Sequence, residues 1–198
     1  MIKVLSIDMS TTCTGWSVFN DSKELLKYGI IKGKSKKQKS KWNELLTKMK
    51  TMAVEIKEVI DLEHPDFIVI EEIAGSKNRI GQKTLDMMHG ILWMFIEEYL
   101  DRVYYYDVTG NKGWRTQLGL RLDDADKLAN KEARDLNKRL DSRQKLPIIG
   151  PKHLSCRFAS RQFNLDLDCD KRKTDGDIAD SVSMGYAFLK FIYHKKLS

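Results

Sequence analysis

The sequence predicts a mixed α/β domain built around five strands, and three observations lead to this prediction. Two short apolar runs, residues 4–7 and 67–70, are rich in strand formers and lack alternation, which is typical of strands buried on both faces. Short turns after the first run predict an antiparallel meander of three strands. A long helical pattern precedes the second run, which favours a parallel crossover beside the first strand.

The first half of the chain supplies four of the strands and one long helix. The meander is predicted at residues 4–7, 16–19 and 25–31, joined by turns of small polar residues. Apolar residues recur at steps of three and four over residues 42–60, which predicts an amphipathic helix. This helix must end near Pro65, because the residue before a proline disfavours the helical conformation.

The second half is predicted to contain the fifth strand and four further helical segments. The strand is expected at residues 102–108, and the helices lie within residues 76–100, 112–118, 152–163 and 174–188. Residues 120–150 are highly charged with both signs interspersed, which indicates a partly helical, mobile insertion. We therefore expect one domain over residues 1–198 with a charged insertion at about 120–150.

The helix predicted within residues 76–100 is apolar on more than one face. Met87, Ile91 and Met94 lie largely off the stripe that Leu85 and Met88 begin. A helix that is apolar on several faces must be covered on several faces. We expect the second face to form a homodimer interface, and the alternative is cover by later helices of the same chain.

Composition points to a basic intracellular protein. The chain has 35 Lys and Arg against 28 Asp and Glu, a formal net charge of +7, which favours an anionic partner such as nucleic acid. The three scattered cysteines are interpreted as free thiols in a reducing compartment. No secretory signal opens the sequence, and the longest apolar run, residues 91–96, is too short to cross a bilayer. We expect a cytoplasmic location and no membrane association.

A lysine-rich segment separates the meander from the first helix. Lys34, Lys36, Lys37 and Lys39 lie in it, and a solvated loop is the simplest explanation for them. Lysines are unfavourable near a helix N-terminus, so a phosphate ligand would relieve their repulsion. Contact with DNA phosphates is therefore the second interpretation of this segment.

Carboxylates follow both buried apolar runs. Asp8 ends the first run and Glu71 ends the second. A turn-capping role explains Asp8 as well as a metal-binding role does, if Asp8 is considered alone. Because neighbouring parallel strands end at the same edge of a sheet, we expect Asp8 and Glu71 to lie side by side.

Two further carboxylates open the last predicted helix. Asp177 and Asp180 are three residues apart and share one helix face. Acidic residues are normal at a helix N-terminus, which explains one of them better than both. With Asp8 and Glu71 they give an oxygen-only ligand set that suits Mg²⁺ or Mn²⁺. Two such ions roughly 3.5–4 Å apart would make a site for phosphodiester cleavage.

The ordered set of motifs resembles the RuvC-type Holliday junction resolvases of the ribonuclease H-like superfamily. The matching segments are Ile7-Asp8 with Ser10, Thr14-Gly15-Trp16, Val69-Ile70-Glu71 and Asp177-Ile178-Ala179-Asp180-Ser181. The resemblance implies a five-stranded mixed sheet, an antiparallel meander plus two parallel strands, with helices on both faces. It also implies a homodimer that cleaves branched DNA with divalent metal. The catalytic, metal-binding tetrad of the family carries over to Asp8, Glu71, Asp177 and Asp180.

The resemblance also implies basic residues close to the scissile phosphate. Arg115 follows Trp114 in a segment similar to the one that supplies such a residue, and Lys131 is the candidate for another. Met9-Ser10 replaces the proline-glycine that often follows the first aspartate, and no aromatic residue stands soon after Glu71. These departures favour a phage version of the family, which would act in the cytoplasm of a bacterial host.

Two other functions fit parts of the sequence. Asp8 followed by Ser10 and Thr11 resembles the first phosphate loop of sugar kinases and actin-fold ATPases, although no second domain or phosphate loop is found. A branched-DNA-binding module without catalysis, whose carboxylates are structural, is the other alternative.

Overall fold

The strands of this computed structural model, which describes residues 1–34, 40–72, 79–142, 144–168 and 174–193, form one mixed sheet. The five strands are β1 Lys3–Asp8, β2 Cys13–Asn20, β3 Leu25–Lys32, β4 Phe67–Glu71 and β5 Val103–Tyr106. Their order across the sheet is β3-β2-β1-β4-β5. The β1–β2 and β2–β3 pairs are antiparallel, and the β1–β4 and β4–β5 pairs are parallel. The predicted sheet is therefore confirmed, including the parallel crossover.

Six α-helices accompany the sheet in the described ranges. They are α1 Lys41–Glu63, α2 Arg79–Phe95, α3 Trp114–Gln117, α4 Asp124–Asn137, α5 Pro151–Phe163 and α6 Asp175–Phe191. Helix α1 begins where the Ser40 hydroxyl accepts a hydrogen bond from the Trp42 N–H, and it ends at His64 in the left-handed conformation. Pro65 follows, as the sequence predicts.

The largest differences from the predicted boundaries are three residues, at the start of β2 and at the end of α6, which reaches Phe191 rather than Phe188. β2 begins at Cys13 rather than at Trp16, because the Ser10 hydroxyl accepts the N–H groups of Thr12 and Cys13 and closes the turn early. α2 ends at Phe95, and a short 3-10 helix, Glu97–Arg102, continues the chain.

The sheet carries helices on both faces, as the resemblance implies. On one face α1 and α2 pack against Leu5 and Ile68 through residues such as Met52 and Leu92. On the other face α5 and α6 cover Val4 and the rest of a second buried cluster. The central strands β1 and β4 are thus buried on both sides, which explains why their sequences show no alternation.

Helix α4 forms the centre of the charged segment predicted as an insertion. It is tied to α5 by an ion pair in which Arg157 lies 2.6 Å from Asp126. The Asn130 side chain bonds both backbone groups of Ile149, at 2.8 and 2.9 Å, and so closes the segment back on itself. Within the ranges that the structure describes, no helix has the length and apolar character that crossing a membrane requires.

Candidate active site

Two predicted carboxylates leave the sheet at one edge. The parallel register pairs Ile7 with Ile70, so Asp8 and Glu71 follow at adjacent strand ends. Asp8 is 8% exposed, and the Glu71 side chain is 20% exposed. The side-by-side placement expected from the sequence is therefore present.

The other two carboxylates reach this edge because α6 begins directly over β2. Gly15 pairs with Asp8 across the β1–β2 ladder. A Cβ atom at Gly15 would lie 2.0 Å from the backbone carbonyl oxygen of Asp177, so only glycine permits this approach. Asp177 and Asp180 are buried at the resulting junction, with 4% and 1% exposure.

One lysine links three of the four carboxylates. Lys152, in the first turn of α5, forms an ion pair with Asp177. Its Nζ atom also lies 3.7 Å from Asp8 Oδ2 and 3.9 Å from Asp180 Oδ2. Three carboxylates from β1 and α6 are therefore within 4 Å of a single ammonium group.

Arg115 joins the fourth carboxylate to the cluster. Its Nη2 atom lies 2.9 Å from Asp180 Oδ2, and its Nη1 atom lies 3.3 Å from Glu71 Oε1. The same guanidinium stacks 4.0 Å from the ring centroid of the buried Trp114, which fixes its position. The structure thus brings together Asp8, Glu71, Asp177, Asp180 and Arg115, and their catalytic and DNA-binding roles stay predictions.

The carboxylates are held in surroundings that disfavour their charge. Burial raises the pKa of Asp8 well above its usual value, and the nearby charges of Glu71 and Asp180 raise it further. Burial also raises the pKa of Glu71, against the opposing effect of Arg115. Burial raises the pKa of Asp177 despite its bond with Lys152. Additional positive charge at this place would therefore be favourable.

Both basic side chains stay protonated. Burial alone lowers the pKa of Lys152, but Asp8 and the other carboxylates outweigh burial and raise its pKa. The pKa of Arg115 is raised in the same way, by Asp180 and Glu71 against burial. These two cations neutralise part of the cluster.

The carboxylate oxygens of the cluster are suitable ligands for a divalent cation. In this structure their spacing is set by the ion pairs with Lys152 and Arg115. No group of three or more His, Cys, Asp or Glu side chains in the described part of the chain stands ready-arranged around a metal position. The potential ligands are all carboxylate oxygens, the type that Mg²⁺ and Mn²⁺ prefer. Asp8 Oδ2 and Asp180 Oδ1 are buried and accept no hydrogen bond from the residues that the structure describes. Buried oxygens of this kind need a cationic partner.

Lys152 and His89 lie at the site but were not among the site residues predicted from the sequence. Lys152 follows Pro151 in the first turn of α5, where a positive charge is unfavourable, and this unusual position was a signal. His89 is buried on α2 and lines a cavity of about 200 Å³ together with Asp8 and Glu71. Nothing in the sequence distinguishes it from an ordinary core histidine.

The remaining basic candidates lie away from the four carboxylates or outside the described residues. Lys131 is on the exposed side of α4, and Lys34 is 80% exposed with its Nζ 3.8 Å from Glu55. Lys36, Lys37 and Lys39 lie outside the described residues. Their predicted contacts with DNA stay predictions.

Cys13 lies beside the cluster as a free thiol. Burial, together with the neighbouring Asp177, raises its pKa to about 11, so the thiol is protonated and unreactive at neutral pH. Cys156 is also buried, and Cys169 lies outside the described residues.

Comparison of the fold with solved structures gives a consistent result. The chain is similar to the RuvC structure of Thermus thermophilus, with a TM-score of 0.57 and 13% identity over 98% of this chain and 97% of that one. It is similar to T. thermophilus RuvC in complex with Holliday junction substrate, with a TM-score of 0.55 and 13% identity over 94% and 92% of the two chains. It is also similar to the yeast mitochondrial Holliday junction resolvase Ydc2, with a TM-score of 0.51 and 9% identity over 94% and 77%.

The likeness is one of fold. No protein-family model and no curated protein matches the sequence. The structural matches extend over nearly the whole chain, so the fold is the ribonuclease H-like fold of these resolvases, as the resemblance implies.

Proposed function

We propose that this chain is a divalent-metal-dependent endonuclease that cleaves branched DNA, including Holliday junctions and related forks. The observation that carries the proposal is the convergence of four carboxylates from β1, β4 and α6 at the carboxyl ends of two parallel strands. One solved protein of similar fold, Ydc2, is named as a Holliday junction resolvase. Another, T. thermophilus RuvC, is in complex with Holliday junction substrate.

The cluster would hold two Mg²⁺ or Mn²⁺ ions through Asp8, Glu71, Asp177 and Asp180. When bound, the ions supply an activated water and stabilisation of the leaving oxygen. Hydrolysis joins the water oxygen to phosphorus and breaks the bond to the 3′-oxygen, leaving a 5′-phosphate and a 3′-hydroxyl. The chain contributes rigidity, since two ligands end buried strands and two lie on one turn of a buried helix.

Arg115 and Lys152 would orient the substrate phosphate. Both are charged and both already contact the carboxylate oxygens, so they lie next to any phosphodiester that reaches the cluster. Arg115 is held by the Trp114 ring and two carboxylates, which lowers the entropic cost of binding an anion. Lys34, Lys36, Lys37, Lys39 and Lys131 are proposed as further contacts to DNA phosphates.

The proposed enzyme is a homodimer. Ile80, Met87, Ile91 and Met94 recur at helical spacing along α2, and Ile80 and Met94 are 79% and 81% exposed. The later helices α5 and α6 pack on the opposite face of the sheet and do not cover this stripe. A two-fold axis would place two identical sites on two strands of a junction. The free, buried thiol of Cys13 fits action in a reducing cytoplasm.

Cleavage of a synthetic mobile four-way junction, with and without Mg²⁺, tests the proposal. Linear duplex and a three-way fork serve as comparison substrates, and Asp8→Asn serves as the matched variant. We expect Mg²⁺-dependent nicking of branched DNA by the wild type, and junction binding without nicking by Asp8→Asn. Binding without cleavage by both proteins would favour the non-catalytic module, and unchanged cleavage by Asp8→Asn would show that the carboxylate assignment is wrong.

A further inference from the structure

A cavity separate from the carboxylate cluster lies between α5 and the segment that leads into α4. It has a volume of about 280 Å³, and its lining includes three arginines, Arg121, Arg157 and Arg161. Leu120 and Phe158 supply an apolar part of the wall. The lining also contains two carboxylates, Asp123 and Asp126, so the three guanidinium groups leave it with a net positive charge that favours an anion.

Both carboxylates in the cavity lining have partners within the chain. Asp123 caps α4 by accepting the Asp126 N–H at 2.7 Å, and Asp126 forms the ion pair with Arg157. Arg121 and Arg161 are exposed and make no hydrogen bond or ion pair with any residue that the structure describes. Two guanidinium groups are therefore available to a ligand, while Arg157 and Asp126 hold the wall in place.

The cavity lies on the far side of α5 from the proposed catalytic centre. Arg157 is five residues after Lys152, which at 3.6 residues per turn places the two side chains about 140° apart around the helix. With side chains an α-helix is about 10–12 Å across, so a group in the cavity is not the phosphate at the carboxylates. Branched DNA has several arms, and one of them can follow α5 past the cleaved strand.

We propose that Arg121 and Arg161 bind a backbone phosphate of a DNA arm that is not being cleaved. The guanidinium fork matches phosphate oxygens in two-point geometry, which favours a phosphodiester over a carboxylate-bearing partner. The site combines α5 with the start of the segment predicted as an insertion, so it would extend the DNA-binding surface of this chain beyond its sheet. This inference rests on the proposed function, because it takes branched DNA as the ligand.

The test compares two double variants of equal charge change. Arg121→Ala with Arg161→Ala removes the proposed contacts, and Lys127→Ala with Lys138→Ala removes two lysines whose Nζ atoms lie 2.8 and 2.7 Å from carboxylates of their own helix. Binding of a fluorescent four-way junction is measured by anisotropy over a series of salt concentrations. Single-turnover cleavage at saturating junction is measured in parallel.

We expect the arginine variant to bind about tenfold more weakly than the lysine variant. One lost phosphate contact should also reduce the slope of log K against log salt by about 0.9. The cleavage rate at saturating junction should be unchanged, because neither arginine belongs to the catalytic cluster. Equal binding by the two double variants would overturn the inference while leaving the nuclease intact. A wild type that neither binds nor cleaves branched DNA would overturn the proposed function and the inference with it.

Discussion

Lys152 supplies the positive charge nearest to three of the four clustered carboxylates, and Arg115 pairs with the fourth, Glu71. Lys152 contacts Asp177 directly and lies within 4 Å of Asp8 and Asp180. A divalent ion bound by the same oxygens would take over this neutralising role. The lysine and the metal are therefore alternatives for one electrostatic function.

Replacing Lys152 with methionine tests whether the lysine and a divalent ion neutralise the same carboxylates. Without metal, Lys152→Met should lose about 1–3 kcal/mol of unfolding free energy, because carboxylates remain buried without their partner while part of the lysine is solvent-screened. Saturating Mg²⁺ should remove most of that difference. Urea unfolding in EDTA and in Mg²⁺ measures both values.

The control for this prediction is Lys127→Met, which breaks an exposed ion pair with Asp124 within α4. Its effect should be about 0–1 kcal/mol and independent of Mg²⁺. If Lys152→Met behaves like this control, Lys152 is not the counter-ion of the cluster.

His89 should make the fold sensitive to acid. Burial lowers its pKa to about 4, against a small opposing effect of Asp86, while the unfolded chain titrates at the ordinary value near 6.5. Between these pH values the unfolded state binds a proton that the folded state refuses, so stability falls as the pH falls. At pH 5 the loss from this residue should be about 2 kcal/mol. His89→Gln should lose correspondingly less stability than the wild type between pH 7 and pH 5, and parallel curves would contradict the prediction.

Some residues of the site could be predicted from the sequence, and others could not. Asp8 and Glu71 could be predicted because a carboxylate that interrupts a buried apolar run is visible in the sequence. Lys152 could not be placed, because its contact with Asp177, 25 residues later, depends on how α5 packs against α6. His89 could not be recognised because burial beside the strand ends is a tertiary property.

The packing of α6 on the meander is the element-scale feature on which the site depends. Asp177 and Asp180 reach the sheet edge because Gly15 has no side chain beneath the first turn of α6. Gly15 belongs to one of the motifs that carry the family resemblance, but the sequence alone does not show why glycine is needed there. The reason is a close approach between two backbones, which no local pattern reveals.

Gly15→Ala should therefore damage both fold and site. The added methyl group would meet backbone atoms of Asp177 and Ile178, so the helix start must shift, at a cost of about 1–3 kcal/mol. The rate of branched-DNA cleavage should also fall, because Asp177 and Asp180 would move with the helix start. Gly90→Ala in α2 is the control, since nothing lies within 4 Å of its added Cβ, and helix propensity makes it neutral or stabilising by up to about 1 kcal/mol. Thermal unfolding of both variants gives the comparison, and equal stability of the two would contradict the close-approach argument.

Elements as a whole were predicted better than their ends. Both long helices and all five strands follow from hydrophobic periodicity and turn residues. The early start of β2 did not, because it depends on hydrogen bonds that the backbone N–H groups of Thr12 and Cys13 donate to the Ser10 hydroxyl. The second long helix lies within the predicted range 76–100, and its end at Phe95 comes just before the charged 3-10 helix Glu97–Arg102.

At the scale of the whole molecule, α2 presents an apolar stripe whose ends, Ile80 and Met94, are 79% and 81% exposed, while Met87 and Ile91 are partly buried against the core. The stripe of Ile80, Met87, Ile91 and Met94 runs beside the buried stripe of the same helix. Homodimerisation through this stripe would remove it from water and would pair two catalytic sites.

Met94→Glu should convert the proposed dimer into a monomer, because dimerisation would bury a charge within the proposed apolar contact. Light scattering coupled to size exclusion measures the mass directly. Leu62→Glu is the control, since Leu62 is 71% exposed on α1 and outside the stripe. A wild type of monomer mass, or an unchanged dimer for Met94→Glu, would exclude this interface.

Anomalous diffraction from crystals soaked in Mn²⁺ tests the central claim most directly. The claim is that carboxylates from β1, β4 and α6 gather divalent cations at one edge of the sheet. We predict one or two anomalous peaks about 2.0–2.3 Å from carboxylate oxygens of Asp8, Glu71, Asp177 and Asp180, with the Lys152 ammonium displaced from Asp177. Absence of a peak at this position at saturating Mn²⁺, with Lys152 still bound to Asp177, would contradict the account.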